Sequence, residues 1–532
     1  DSLGRAIQWM RSWFVGMPGE TVSCVGCHED QNLMPIPKRT IASQKTASKI
    51  EVPEGGARPF PFELAIQPIL ERACVACHNN ENAAGGKNFT GGRHKNLYKF
   101  SESYLDFHPY FYRQGPEADM YVLVPYEFNA SNSEMVQMLQ NGHHGVKLTD
   151  KEWKTLYNWI DFNAPYHSAF FEIRDLKVGQ HGYDQVQRRK ELAAKYANGS
   201  AVDWQQEIRD YAAYLDKQPK PQPVKPEAQP EPAVKKIKVK GWPFSASEAK
   251  AMVGDDNRKS IEIAPGVTMN FVRIPAGTFV IGADHGIAAP KSKVKVGRSF
   301  WMGEIEVSNE QFRALFPEHD NRLIGQHWKD HTGPNYLVNE DWRPAIRVSW
   351  EQAMEYCRKL SEQTGLKITL PTEAQWEWAA RAGAAGDNWW GADTDFSPYE
   401  NLADVQLQKM AVSGVDPQPM NPNSRVFKYW DFLPKDASVD DGNMLLGKSG
   451  SYKPNAWGLY DMQGNVAEWT RSDYRPYPYS AKADGKNVSN AEKVVRGGSW
   501  IDRTKNASLS ARRHFLPWQA VRNVGFRVII EE

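Results

Sequence analysis

Two short clusters concentrate most of the reactive side chains: VSCVGCHED at residues 22–30 and ACVACHNN at residues 73–80. Each places two thiols three positions apart and an imidazole directly after the second thiol. Zinc could take the four cysteines as two CxxC knuckles, but it does not require a histidine after each pair. A CxxC disulfide suits a redox motif on a βαβ unit, and no such pattern flanks either cluster. Covalent haem attachment needs two thiols in reach of the two vinyl groups of one porphyrin. It also needs a histidine within the same turn to meet the iron, and CxxCH satisfies both demands. The doubled motif therefore predicts two c-type haems, attached through Cys24 and Cys27 and through Cys74 and Cys77, with His28 and His78 as the proximal iron ligands.

The sixth ligands decide what such haems do. The stretch MLQNGHHGVKLTDKEW offers His143 or His144 to the second haem, which makes a bis-histidine, low-potential electron-transfer site. Met135 and Met138 lie nearby, but their helical spacing reads as core. For the first haem, Met17, Met34, His94, His108 and His167 are candidates and none stands out. His108, inside the aromatic run LDFHPYFYRQG, reads as a packed core histidine. A first haem with an open coordination position is where chemistry could occur.

These residues need elements to hold them. At 532 residues the chain is too long for one ordinary core, which predicts two or three domains. Residues 1–215 hold eight of the thirteen histidines and read as mostly helical. PFELAIQPILERACVACH predicts a helix running into the second motif. LTDKEWKTLYNWIDFNAP predicts an amphipathic helix opened by a capping box of Thr149 and Glu152. Residues 216–242 contain six prolines between Pro219 and Pro232 and end in the charged run Lys235–Lys240, which predicts an extended, semi-rigid, solvated linker. From residue 243 onward the texture becomes short β-like runs, Gly turns and Trp-rich motifs. Of the five cysteines only Cys357, in SWEQAMEYCRKL, falls outside the motifs, and it reads as a small buried hydrophobe.

Charge and hydropathy exclude some classes. Sixty-five basic residues against sixty-four acidic ones leave a net charge of +1, which argues against a nucleic-acid binder working through bulk electrostatics. No apolar run approaches the roughly 18–20 residues needed to span a bilayer. No export signal is visible in DSLGRAIQWMRSWFVGMPGE, which predicts a processed chain or a portion of a longer one. Haem c matures outside the cytoplasm, so the expected compartment is periplasmic or cell-surface.

The N-terminal stretches MRSWFVGMPGETVSCVGCHED, PILERACVACH, HPYFYRQGPEADMYVLVPYEF and NGHHGVKL resemble, in that order, the C-terminal dihaem region of the hydrazine synthase alpha subunit and its bacterial relatives, over about residues 1–175. That family usually carries a β-propeller upstream and a tyrosine ligand soon after the first CxxCH. EDQNLMPIPK follows His28 here and holds no tyrosine, so the resemblance implies a generic redox role rather than hydrazine synthesis.

The C-terminal series MNFVRIPAGTFVIGA, FWMGEIEVSNEQF, RPAIRVSWEQAMEYC, LPTEAQWEWAARAG, GLYDMQGNVAEWT, VVRGGSW and VRNVGFRVI resembles the formylglycine-generating enzyme family over roughly residues 260–532. The resemblance implies a loop-rich α+β, C-type-lectin-like fold, with Trp350, Trp376, Trp378 and Trp469 as apolar anchors. It also implies up to two calcium sites. One would use Asn401, the Leu402 carbonyl, Asp441 and the Asn443 carbonyl; the other Asp461, Glu468 and the carbonyls of Gly464 and Val466. The enzymes of that family hold copper through two cysteines shortly after GGS, and Asp502 and Ala507 stand at those places here. Related sulfoxide synthases use three histidines on iron, a set that the scattered His285, His319, His327 and His331 do not match.

The sequence thus predicts a multidomain protein: a mainly α dihaem cytochrome c region at 1–215, a linker at 216–242, and a non-catalytic formylglycine-generating-enzyme-like domain at 243–532. The first part would carry electrons to or from a redox partner or larger complex, and the last would dock to a partner, glycan or assembly surface. Two rivals differ in class: a redox enzyme with its active site at an open first haem, and a structural protein stapled by haem and calcium.

Overall fold

The helical part of the chain is nucleated by local caps. In the computed structural model, residues 3–8, 44–46, 60–92, 99–112, 125–167, 191, 194–195, 204–226, 237–254, 257–325, 327–329, 336–414, 418–419, 435–481, 484 and 491–532 are described. Helices α1 (Phe62–Ala65) and α2 (Gln67–Ala73) are separated at Ile66, with a proline at the start of α2 where its missing N–H costs nothing. Helix α3 (Glu102–Phe107) is capped by the Ser101 hydroxyl. Helix α4 (Glu134–Gln140) leads to Gly142, whose φ of 82° ends it in the left-handed region. Helix α5 (Asp150–Asp161) opens with the expected capping box of Thr149 and Glu152, and Glu152 also receives Arg72 Nη2 at 2.6 Å from α2.

These helices share one core in which Phe62, Leu70, Phe107, Val136, Trp159 and Ile160 are buried. Aromatic edges fill it, with Phe62 against Tyr104 at 5.2 Å and Phe111 against Trp159 at 5.2 Å. The Trp159 indole donates to the Pro165 carbonyl at 2.9 Å, so burial leaves that polar handle satisfied. Helix α6 (Trp204–Asp216) follows, and beyond it the linker touches back where the Val224 amide donates to the Arg72 carbonyl at 2.8 Å.

The C-terminal part starts with α7 (Ala246–Val253), and its two largest sheets have five and four strands. Strands β1 (Arg258–Ala264), β2 (Val267–Ile274), the hairpin β3 (Gly277–Ile281) and β4 (Ser292–Val296), and β5 (Phe300–Gly303) come first. Helices α8 (Asn309–Arg313) and α9 (Trp350–Thr364) follow, then β6 (Ile368–Thr369) and α10 (Glu373–Arg381). Strands β7 (Ala467–Asp473), β8 (Lys493–Arg496), β9 (Arg512–Phe515), β10 (Val524–Gly525) and β11 (Ile529–Glu531) complete it. One antiparallel sheet runs β1-β2-β5-β11-β6, so the last strand of the chain sits inside it. The other runs β9-β8-β7-β10, with β10 parallel to β7.

All four helices of this part, α7 to α10, carry a Ser or Thr N-cap reciprocated by Glu or Gln three residues on. Three of the expected tryptophan anchors pin loops through their indole N–H: Trp350 on the Thr470 carbonyl at 2.9 Å, Trp378 on that of Pro275 at 2.8 Å, Trp469 on that of Val348 at 2.8 Å. Cys357 is 1% exposed on the core face of α9, the small-hydrophobe role read from its sequence.

Asp161, at the end of α5, fastens two distant segments. Its carboxylate accepts the Ala6 amide at 2.6 Å and the Ala130 amide at 2.8 Å. Burial outweighs those bonds and pushes its pKa up to about 6 from 3.8. A folded-state pKa above the unfolded one makes the fold bind this proton more tightly, so the contribution of Asp161 to stability is fully present below about pH 4 and is lost as pH rises through about 6. Asp161→Asn is expected to flatten that fall in urea midpoints measured from pH 4 to pH 7; an unchanged slope would assign the dependence to other groups.

Candidate functional site

The second CxxCH turn is fixed by its own backbone. The Cys74 amide closes α2 on the Leu70 carbonyl at 2.8 Å, and the amides of Cys77 and His78 both donate to the Cys74 carbonyl at 3.0 Å. Further bonds from Ala84 to Cys77 and from Phe89 to His78 brace the far side. One turn therefore carries both thiols and the imidazole, all half-buried, and both thiols are free. Burial pushes the Cys74 thiol up to about 12, which keeps it neutral and disfavours its use as a thiolate ligand. Burial also lowers His78, against the carbonyls of Ala84 and Lys87 that favour its protonated form.

Of the two histidines after α4, His143 is the one whose ring lies across from His78. Their centroids are 6.2 Å apart and their planes 21° from parallel. An imidazole nitrogen holds a first-row metal at about 2 Å, so two such bonds plus a ring radius of about 1 Å at each end come to about 6 Å. The spacing fits one iron held between two imidazoles. Burial, then the charges of His144, His78 and Lys505, push His143 down to about 4, so its ring is neutral and keeps a lone pair at ordinary pH. His144 is exposed, edge-on to His143 at 4.7 Å, with a left-handed φ of 44°.

Cys24, Cys27 and His28, with Met17, Met34 and His94, lie outside the described residues. His108 is buried and its Nδ1 meets the Tyr104 carbonyl at 3.0 Å, the place of a packing histidine. His167 lies against Phe100 and Tyr166. Met135 is buried in the helical core and Met138 packs against it.

His143 and His144 line a cleft of about 1210 Å³ whose opposite wall belongs to the C-terminal domain, including the 282–289 loop and residues 501–513. Nothing local in the sequence announces this contact. Glu127, after the second motif, and Arg347, before α9, are both buried and joined Nε to Oε1 at 2.9 Å. Arg503 and Asn506 reach Glu134 at 3.1 and 2.8 Å. Tyr126 packs on Trp518 at 4.5 Å, and the Arg522 guanidinium lies 3.6 Å over Tyr112.

At the places where the resembling enzymes carry copper thiolates, the structure has other business. Asp502 takes Arg513 Nη1 at 2.8 Å and the Ser499 hydroxyl at 2.6 Å. Ala507 is fully buried, and a Cβ on the facing Gly498 would come within 2.2 Å of its own. An ion-paired carboxylate and a methyl group do not fit copper(I). Cys357 is distant in the sequence, and burial raises its pKa. His319 is held by Asn321 at 3.0 Å, His285 is exposed on the cleft, the His327 backbone lies in a short strand, and His331 lies outside the described residues.

The oxygen-rich positions cluster beneath this surface. Asn401 turns its amide nitrogen to the Leu445 carbonyl at 2.9 Å and leaves Oδ1 buried without a partner. Asp441 accepts the Leu402 amide at 2.9 Å and the Asn443 amide at 2.8 Å, and burial still pushes it up to about 7. A cation among Asn401, Asp441 and the carbonyls of Leu402 and Asn443 would relieve that buried charge. At the second position Asp461 accepts the Gly450 amide at 2.6 Å on Oδ2, and its Oδ1 is buried without a hydrogen-bond partner. Glu468 is differently engaged: Arg527 Nη2 meets its Oε1 at 2.7 Å and the Trp376 indole its Oε2 at 2.7 Å. Glu306 and Glu400 are buried carboxylates whose pKa burial and then Asp461 raise; no sequence pattern marks them as part of this group. Among the described residues, no three or more His, Cys, Asp or Glu converge as a metal cage.

Comparison with known proteins bears mainly on the C-terminal half. Residues 260–532 match the sulfatase-modifying factor enzyme 1-like domain, and residues 1–29 match the hydrazine synthase alpha subunit middle domain. The chain is similar to the inactive C-alpha-formylglycine-generating enzyme 2 of Mus musculus, 30% identical over 48% of this chain and 84% of that protein. It is also similar to the formylglycine-generating enzyme of Streptomyces coelicolor, 28% identical over 49% of this chain and 90% of that protein. Among solved structures, PvdO from Pseudomonas aeruginosa aligns with 52% of this chain and all of its own, at 21% identity and a TM-score of 0.39.

Truncating one partner of a buried ion pair costs roughly 3–5 kcal/mol, because the other charge is left without a counterpart. Glu127→Ala is therefore expected to open the cleft, letting Arg347 reach water, and to raise the radius of gyration measured by X-ray scattering. An unchanged radius would mean that the surrounding contacts hold the two parts together without the pair.

Proposed function

Since the chain belongs to the sulfatase-modifying factor enzyme 1-like domain family, we propose a division of labour in which this domain is a non-catalytic docking module and the N-terminal half is an exported dihaem c-type cytochrome that carries electrons. The 6.2 Å, near-parallel setting of His78 and His143 is the observation that carries the reading. Haem c, when bound, supplies a one-electron iron couple. Cys74 and Cys77 would fix the second porphyrin, with His78 and His143 on its iron and His144 beside it; Cys24, Cys27 and His28 would serve the first. Bis-histidine ligation leaves no open position at the second iron, which suits electron transfer rather than substrate turnover.

The silence of the C-terminal domain is supported by Asp502 and Ala507 standing where thiols would be needed, and by relatives that themselves bear the word inactive in their names. Calcium would brace its loops through Asn401, Leu402, Asp441 and Asn443, and through Asp461, Gly464 and Val466, with Arg527 already neutralising Glu468. Haem attachment outside the cytoplasm places the protein in the periplasm or at the cell surface, beside a redox partner or within a larger complex.

Absorption spectra of the purified chain, oxidised and reduced, with haem counted by pyridine haemochrome, test the reading. Two low-spin haems per chain are expected, and His143→Ala should turn one of them high-spin while leaving it attached. A wild-type high-spin fraction that shifts on adding a small ligand would make the protein a redox enzyme instead, and no haem would return the cysteines to zinc. For calcium, chelation should lower the melting temperature of the C-terminal domain and added calcium restore it, a response lost in Asp441→Asn. A melting temperature indifferent to chelator would remove calcium from the account.

A further inference from the structure

One lysine on the cleft wall that faces His143 stands outside the ion pairs that tie up Lys291, Arg381, Arg512 and Arg513. Lys505 sits in the turn Thr504–Asn506 of the C-terminal domain, exposed, and lines the same cleft as His143 and His144. The turn is clamped to the helical part, because its neighbours Arg503 and Asn506 both bond Glu134 on α4, the helix that leads to His143. Glu134 is thereby occupied by Arg503. On the far side Lys87 lies 4.0 Å from Asp106 and over the Tyr110 ring. Lys505 has no carboxylate within ion-pairing distance among the described residues. Partial desolvation, then the charge of Arg503, depress its pKa against the opposing charge of Glu134, with Lys87 adding to the fall, and its own charge bears on the His143 ring.

An exposed ammonium on a cleft wall, with Arg503 and Lys87 near it and Glu134 already taken by Arg503 and Asn506, can take a further anion. The group that the His78–His143 pair would bring there carries two, the carboxylates of the porphyrin edge. We infer that Lys505 is the counter-charge of the second haem's carboxylates, so that the C-terminal domain completes that haem's pocket and sets its reduction potential across the domain boundary. The inference rests on the haem reading above. Neutralising a carboxylate next to the ring removes negative charge that would otherwise favour the ferric state, so Lys505 raises the affinity of that iron for an electron. The three-residue turn thus does, in this domain, what a residue of a cytochrome's own chain would ordinarily do.

Spectroelectrochemical titration of the full haem-loaded chain tests this. Lys505→Ala should lower the reduction equilibrium constant of the low-spin His78–His143 haem severalfold, and Lys505→Glu tenfold or more, about 59 mV for a one-electron couple. The first haem should stay where it is, and so should both haems in Lys293→Ala, an exposed lysine on β4. Intact low-spin spectra with an unmoved potential in both Lys505 variants would overturn the inference and leave the haem reading standing. A chain without a low-spin bis-histidine haem would overturn both.

Discussion

The buried pair of Glu127 and Arg347 is the constraint on which the rest of the molecule depends. The two residues lie 220 positions apart, one in the helical part and one before α9, and neither side chain is more than 3% exposed. Taking two such charges out of water is costly, and only geometry and further bonds offset it. Arg347 supplies them by also donating to the carbonyls of Asn321 and Leu323. Its backbone holds a left-handed φ of 53°, a conformation that a bulky residue adopts only when its surroundings insist. With that pair in place, Tyr126 meets Trp518, Glu134 meets Arg503, and the cleft acquires two walls.

The same use of buried charge runs through the C-terminal domain. Glu377 joins Arg381 and Arg496, Glu373 joins Arg512, Lys493 meets Asp473, and Arg527 clasps Glu468. The pairs of Glu377 with Arg496 and Glu373 with Arg512 tie α10 to strands β8 and β9, while Lys493 with Asp473 joins two neighbouring strands. A frame held this way does not need thiols or an active centre to stay folded, which is how Asp502 can take the place of a metal ligand and serve as a strut for Arg513.

What the sequence disclosed and what it withheld divide along contact range. The turn from Cys74 to His78, the Thr149–Glu152 box and the buried face of α9 with Cys357 depend on residues within a few positions of one another and were legible, whereas the tryptophan anchors came with the family resemblance, since their acceptors lie a hundred or more positions away. The choice between His143 and His144 was not, because a left-handed His144 turns one ring toward His78 and its neighbour away, and that depends on where α2 packs. Glu127 with Arg347, Glu134 with Arg503, and Glu306 and Glu400 beside Asp461 were invisible for the same reason: a lone acidic residue reads as surface until its partner arrives from another part of the chain. Glu468 was expected from the family resemblance as a calcium ligand, and nothing in the sequence marked it as an acid already claimed by Arg527.

The proline-bearing segment between the two parts has a thermodynamic meaning of its own. Among the described residues, the contacts across the cleft include two ion pairs, the Asn506–Glu134 bond, an aromatic contact and two guanidinium groups over tyrosines. Between separate molecules such a set would hold only at high protein concentration. Joined by some two dozen residues, the two surfaces meet at an effective concentration on the order of millimolar, whatever the dilution outside. The Val224 amide, bonded to Arg72 beside the CxxCH turn, shortens the free span further. Closure of the cleft is therefore a property of a single chain, independent of how much of the protein is made, and its opening would be unimolecular and readily reversed.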